Sequence, residues 1–224
     1  MKTLVAAILL LFSSSLMAQV ASVNVFEPLP GKGGLTAQYF QEAKAIQEAM
    51  GATVAISNDF KGIYRYAVLF DNWQAYGEFV QALFVNEAWG AFLTKISNNP
   101  SAVQIDNLQL DLVAPGTLSG VQGPGAVTDV FVWELTTGTM ADLLEGAMTA
   151  KEIHERAGAS VVIYTAGALG RMYYLMQYPD LSTWGRLRDT PNPEFAAFMA
   201  EINANAVNGD TGAAIILQDT LIGL

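Results

Sequence analysis

The sequence predicts an α+β protein built from two tandem copies of one β-α-β-β-α-β unit, the two four-stranded sheets packing as an intrachain α+β barrel. Three observations predict it. Two segments about 107 residues apart match in order. Each copy alternates short β-branched runs with helical periodicity. The composition, 52% hydrophobic and 14% charged over 224 residues, supplies a core too large for a disordered chain or a solvated helix.

The match is clearest between residues 43–53 (AKAIQEAMGAT) and 150–160 (AKEIHERAGAS). It extends upstream, where Val25, Phe26 and Glu27 meet Val132, Trp133 and Glu134. With small shifts of register it extends downstream: Tyr66 meets Tyr174, Phe70 meets Tyr178, Asn86 meets Asn192, and Trp89 and Phe92 meet Phe195 and Phe198.

Each copy opens on a short apolar strand, at 23–27 and 130–135. Glycine-bearing turns at 31–34 and 136–138 follow. Helices are expected over 35–50 and 140–157. Leu35, Tyr39, Ala43, Ile46 and Met50 fall on one face of the first, and Met140, Leu143, Ala147, Ala150, Ile153 and Ala157 on one face of the second. Gly51 and Gly158 stand just past the last turns, where a left-handed residue closes a helix. Strands at 53–57 and 160–164, turns at 58–62 and 165–170, and strands at 63–70 and 171–178 come next. Along the first long strand Tyr64, Tyr66, Val68 and Phe70 alternate with Ile63, Arg65, Ala67 and Leu69, so both faces need cover. Two helical stretches follow in each copy, then a closing strand at 103–113 and 213–221. Residues 115–125, rich in Gly and Pro, connect the copies. The units span 22–114 and 126–224.

Residues 1–18 have the layout of a secretory signal peptide. Lys2 precedes an apolar run from Leu4 to Phe12, and small residues lead to an exit at Ala18. The run is shorter than the roughly 20 residues a spanning helix needs. The expected location is periplasmic or secreted. Net charge is −10, and the eleven Lys and Arg residues never cluster, which argues against nucleic acid and anionic lipid as partners. No transmembrane segment is expected, and the chain should be a monomer or a homodimer. Cysteine is absent and His154 is the single histidine, so a closed zinc site is excluded. No metal site is expected.

Phe70 followed by Asp71, Asn72, Trp73 and Tyr76, then Asn86, Trp89 and Phe92, recurs as Tyr178, Asp180, Trp184, Asn192, Phe195 and Phe198. This pattern resembles the dimeric α+β barrel superfamily of ferredoxin-like units, each half being most similar to the NIPSNAP-like group. The resemblance covers nearly all of residues 22–222. It implies a superfamily of haem-dependent enzymes, cofactor-free monooxygenases, small-molecule isomerases and proteins of unknown role. No catalytic motif of these carries over onto the chain.

Candidate site residues are few. His154, Arg171 and Tyr173 are candidates for acid–base chemistry. Arg65, Tyr64, Tyr66, Arg171, Tyr173 and Tyr174 are candidates for lining a ligand site, with the strand arginines suited to clamping a carboxylate. Glu27 and Glu134 occupy equivalent positions and would perturb each other if buried together. The expected role is binding of a small apolar or carboxylate-bearing molecule between the sheets. A cofactor-free monooxygenase- or isomerase-like enzyme and a structural protein with a closed barrel are the alternatives. No cofactor is expected; haem held by His154 is the alternative. The export reading has a direct check: intact-mass spectrometry of the exported protein should find it beginning at Gln19.

Overall fold

A computed structural model describes residues 19–117, 123–206 and 212–224. The signal-peptide reading on residues 1–18 lies outside the described residues, as does part of the connector.

The duplication is visible element by element. The first copy runs β1 (Val20–Pro28), α1 (Gly33–Ala49), β2 (Thr53–Asp59), β3 (Tyr64–Phe70), α2 (Trp73–Phe84), α3 (Glu87–Asn98) and β4 (Ala102–Ala114). The second repeats it as β5 (Val127–Leu135), α4 (Met140–Ala157), β6 (Ser160–Ala166), β7 (Arg171–Tyr178), α5 (Leu181–Asp189), α6 (Pro193–Asn205) and β8 (Ala213–Gly223).

The recurring polar residues cap helices. Asn72 and Asp180 accept hydrogen bonds from the backbone N–H groups of Ala75 and Thr183, starting α2 and α5. Asn86 and Asn192 accept from Trp89 and Phe195, starting α3 and α6. Thr139 and Asp142 form a reciprocal capping box on α4. At the other ends, Gly51 (φ +95°) and Gly158 (φ +105°) take the left-handed conformation that a side chain would resist.

The expectation of two four-stranded sheets packed face to face as an intrachain barrel is corrected. All eight strands belong to one antiparallel sheet, in the order β1-β3-β2-β8-β5-β7-β6-β4, and β4 pairs back onto β1. The copies are joined by backbone hydrogen bonds rather than by side-chain packing alone. The joints are short. At one, Ser57, Asn58 and Asp59 pair with Gly223, Ile222 and Leu221. At the other, Asp111, Leu112 and Ala114 pair with Thr165, Tyr164 and Ile163. Strand alternation explains the merger, because both faces of every central strand are apolar.

The outward face is covered by the helices. Tyr39, Phe40 and Ala43 of α1 pack on Ile56, Tyr64 and Tyr66, with Phe79 and Phe92 completing the cluster. In the second copy Ala147 and Ala150 of α4 pack on Ile163, Met172 and Tyr174. The inward face forms a separate cluster that includes Ala21, Leu69, Leu110, Val130, Val162 and Tyr173. Because neighbouring strands alternate in direction around the sheet, the β2–β3 and β6–β7 turns lie at the same end. No helix among the described residues is long and apolar enough to cross a membrane.

The caps make a quantitative prediction. Asn86→Ala and Asn192→Ala should each lower stability by about 1 kcal/mol. Urea denaturation should register both losses, adding up in the double variant because the sites are in different copies.

Candidate functional site

The inward face encloses a cavity of about 420 Å³, lined mainly by aliphatic side chains such as Val23, Ala67, Leu110 and Val130. Its charged groups enter at the end carrying the two turns. Arg65 lies at the second residue of β3 and Arg171 at the first of β7; both line the cavity, as do Tyr173 and Asp106.

The densest polar group surrounds Arg65. Its Nη1 donates to Asp59 Oδ2 at 3.2 Å and its Nη2 to Asp219 Oδ2 at 2.5 Å. The three side chains are 15%, 2% and 10% exposed, so solvent screens them little. Asp59 owes its position to the β2–β3 turn, where its Oδ1 accepts from the N–H groups of Lys61 and Ile63. Asp219 shares a strand face with Leu217 and Leu221, which line the cavity, and its Oδ1 accepts from the Thr220 N–H.

These surroundings push the two carboxyls apart. Burial opposes ionisation of both. At Asp59 the Ile63 N–H, the hydrogen bond with Asp219 and the Arg65 charge outweigh burial, and its pKa lies below the usual carboxylate value. At Asp219 burial, reinforced by Asp59, outweighs Arg65, and its pKa lies above that value. The two titrate as a coupled pair, Asp219 holding its proton to higher pH than Asp59.

The two copies differ here. Ser57 pairs with Arg65 as Tyr164 pairs with Tyr173, so Tyr173 is the counterpart of Arg65 and Ala166 of Asp59. Val130 pairs with Asp219 as Val23 pairs with Leu108, so Leu108 is the counterpart of Asp219. A charged triad at the β2–β8 joint is thus replaced by Tyr173, Ala166 and Leu108 on the β6, β7 and β4 side.

The remaining candidates divide by face. Arg65, Arg171 and Tyr173 line the cavity. Arg171 Nε donates to Glu134 Oε1 at 3.0 Å in a partly exposed pair. Burial raises the Tyr173 pKa, against the opposing Arg171 charge. Tyr64, Tyr66 and Tyr174 instead face the helices: Tyr64 donates to the Gly33 carbonyl and Tyr66 to Gln47 Oε1. His154 also lies in that layer, its Nδ1 2.8 Å from the Tyr174 hydroxyl and its ring against Phe195. Glu27 is exposed and Glu134 is engaged with Arg171, so these two form no buried pair. Sequence reasoning missed Asp59 and Asp219.

Haem does not fit this cavity. An axial ligand would come from His, Cys, Met or Tyr. His154 faces away from the interior, and no His or Met lines it. Tyr164 and Tyr173 do line it, but burial pushes the Tyr164 hydroxyl up to about 12 and raises Tyr173, disfavouring the phenolate a metal would need. Among the described residues no three His, Asp or Glu side chains converge as a metal site.

No protein-family model and no curated protein matches the chain. Solved structures do. A protein of Fusobacterium nucleatum provisionally described as a monooxygenase superposes with a TM-score of 0.60 at 15% identity, covering 92% of this chain and 93% of its own. A counterpart from Lactobacillus acidophilus with the same provisional description gives 0.54 at 13%, covering 92% and 93%. An anthrone oxidase-like protein gives 0.51 at 12%, covering 92% and 91%. The chain shares the ferredoxin-like α+β fold of these proteins.

The His154–Tyr174 contact yields a prediction. Burial lowers the His154 pKa, so the folded chain refuses a proton that the unfolded chain accepts below about pH 6.5. This contribution to stability is present above that pH and is lost as pH falls through the window. Gln47 makes the same contact with Tyr66, so His154→Gln should fold. Its thermal unfolding should change less than the wild type's between pH 7 and pH 5.5.

Proposed function

We propose that the chain is a cofactor-independent enzyme of the monooxygenase- or isomerase-like kind, acting by proton transfer on a small, largely apolar molecule held inside the sheet. The observation that carries this reading is the Asp59–Arg65–Asp219 triad, whose arginine lines one end of a largely apolar cavity. Two carboxyls with pKa values pushed apart are the arrangement that acid–base catalysis requires. The cavity volume of about 420 Å³ falls within the range of small-molecule sites. Fold likeness to proteins described as monooxygenases supports the same class. The likeness of each half to the NIPSNAP-like group, carried by Phe70, Trp73, Asn86 and Phe92 and their repeats, supports the architecture and leaves the chemistry open.

In this reading Arg65 is a positioning residue that holds both carboxyls. Asp219, the more basic and more exposed carboxyl of the pair, takes a proton in its ionised form from a carbon acidified by a neighbouring carbonyl. Returning that proton elsewhere on the skeleton is isomerisation. Passing electrons from the carbanion to dioxygen gives net RH2 + O2 → R=O + H2O, with dioxygen as the oxidant. Both routes share the proton step.

The proton step can be measured alone. Anthrone, taken from the description of one structural neighbour, has such an acidic methylene. Under anaerobic conditions in D2O the protein should accelerate deuterium uptake at that carbon, followed by NMR. Asp219→Asn should cut the acceleration by about 100-fold, the low end of what a positioned acid or base supplies. Equal exchange rates in the folded variant and the wild type would remove the triad from the chemistry.

A further inference from the structure

We infer that the cavity selects an uncharged ligand and rejects the anionic form of the same skeleton. The inference rests on the proposed function and specifies its substrate class. It also replaces the carboxylate clamp expected of Arg65, for a reason visible in the geometry.

An arginine clamps a carboxylate with guanidinium edges that have no other acceptor. Arg65 spends Nη1 on Asp59 and on the Ile63 carbonyl, and Nη2 on Asp219. Its single positive charge meets two carboxylates, so the triad carries one negative charge, or none when Asp219 holds its proton. An incoming anion meets Arg65, the triad member that lines the cavity, with its charge already compensated by two carboxyls in surroundings that screen weakly.

The rest of the polar end has the same balance. Arg171 is engaged by Glu134, and Asp106 lies close enough to Tyr173 to act on its hydroxyl. Two arginines therefore stand against four carboxylates, Asp59, Asp219, Glu134 and Asp106. The chain as a whole carries −10. Below this end the lining carries no charged group: Val23, Ala67, Leu110 and Val130 are aliphatic, and the neutral Thr128 and Gln177 bring no cation to offset an anion. A neutral molecule pays neither cost, and a hydroxyl on it can donate to Asp106, which lines the cavity.

Two fluorescent probes differing by one charge test this on the full mature chain. N-phenyl-1-naphthylamine is neutral; 8-anilinonaphthalene-1-sulfonate adds a sulfonate to the same rings. The wild type should bind the neutral probe at least tenfold more tightly. In Asp59→Asn/Asp219→Asn the guanidinium keeps its charge and loses both counter-charges, so the preference should shrink at least fivefold. Asp219→Asn alone should shrink it by less, and serves if the double variant does not melt cooperatively. Equal or tighter binding of the sulfonate by the wild type would overturn the inference. So would an unchanged ratio in a folded variant. Binding of neither probe would instead remove the proposed function, because it would show that the interior does not admit small molecules.

Discussion

The interior of this protein exists because of two three-residue pairings. Ser57, Asn58 and Asp59 pair with the end of β8, and Asp111, Leu112 and Ala114 pair with the end of β6. Without them each copy would be a four-stranded sheet with an uncovered apolar face and two unpaired edges, an arrangement prone to aggregation. Much of the first half of β4 and of β8 is paired on one side only and carries the exposed Val103, Ile105, Ile215 and Ile216. Side chains reinforce one joint. Asp59 belongs to the paired segment of β2, and Arg65 ties it to Asp219 on β8. The same triad thus joins the copies and, through Arg65, reaches the charged end of the cavity.

The connector contributes to the same closure. A Cβ on Gly116 would fall 2.4 Å from Ser160 Oγ, so the chain leaving β4 lies directly against β6 at the end remote from the turns. Gly125 donates to the Gly223 carbonyl, and Gly223 donates to that of Ala126, extending the β8 margin. The Gly125 N–H thus finds its acceptor on the strand that joins the two copies.

Much of the architecture was legible in the sequence because it depends on local patterns. Helix periodicity placed α1 and α4, Gly51 and Gly158 marked their ends, and the repeated asparagines sat where caps were needed. The edge-to-edge union of the copies was not legible, since apolar residues on both faces are equally compatible with two stacked sheets or with one continuous ladder. The site was half legible. Arg65, Arg171 and Tyr173 stood out as polar residues on apolar strands and do line the cavity, whereas Tyr64, Tyr66 and Tyr174 follow the alternation to the opposite face. Asp59 was hidden as an ordinary turn residue. Asp219 left a usable signal, an acidic residue on the same strand face as Leu217 and Leu221, but its partner is 154 residues away and no local pattern joins them.

The asymmetry of the triad has a consequence for what a single chain can do. Two identical subunits would carry every substitution twice, placing a second arginine and two more aspartates across the interior from the first set. Here Tyr173, Ala166 and Leu108 occupy those places. Covalent tandem linkage releases each half from copying the other. One joint can hold the Asp59–Arg65–Asp219 ion cluster while its counterpart holds none of those charges, so a ligand meets different groups at the two, which a two-fold symmetric chamber of the same strands cannot offer.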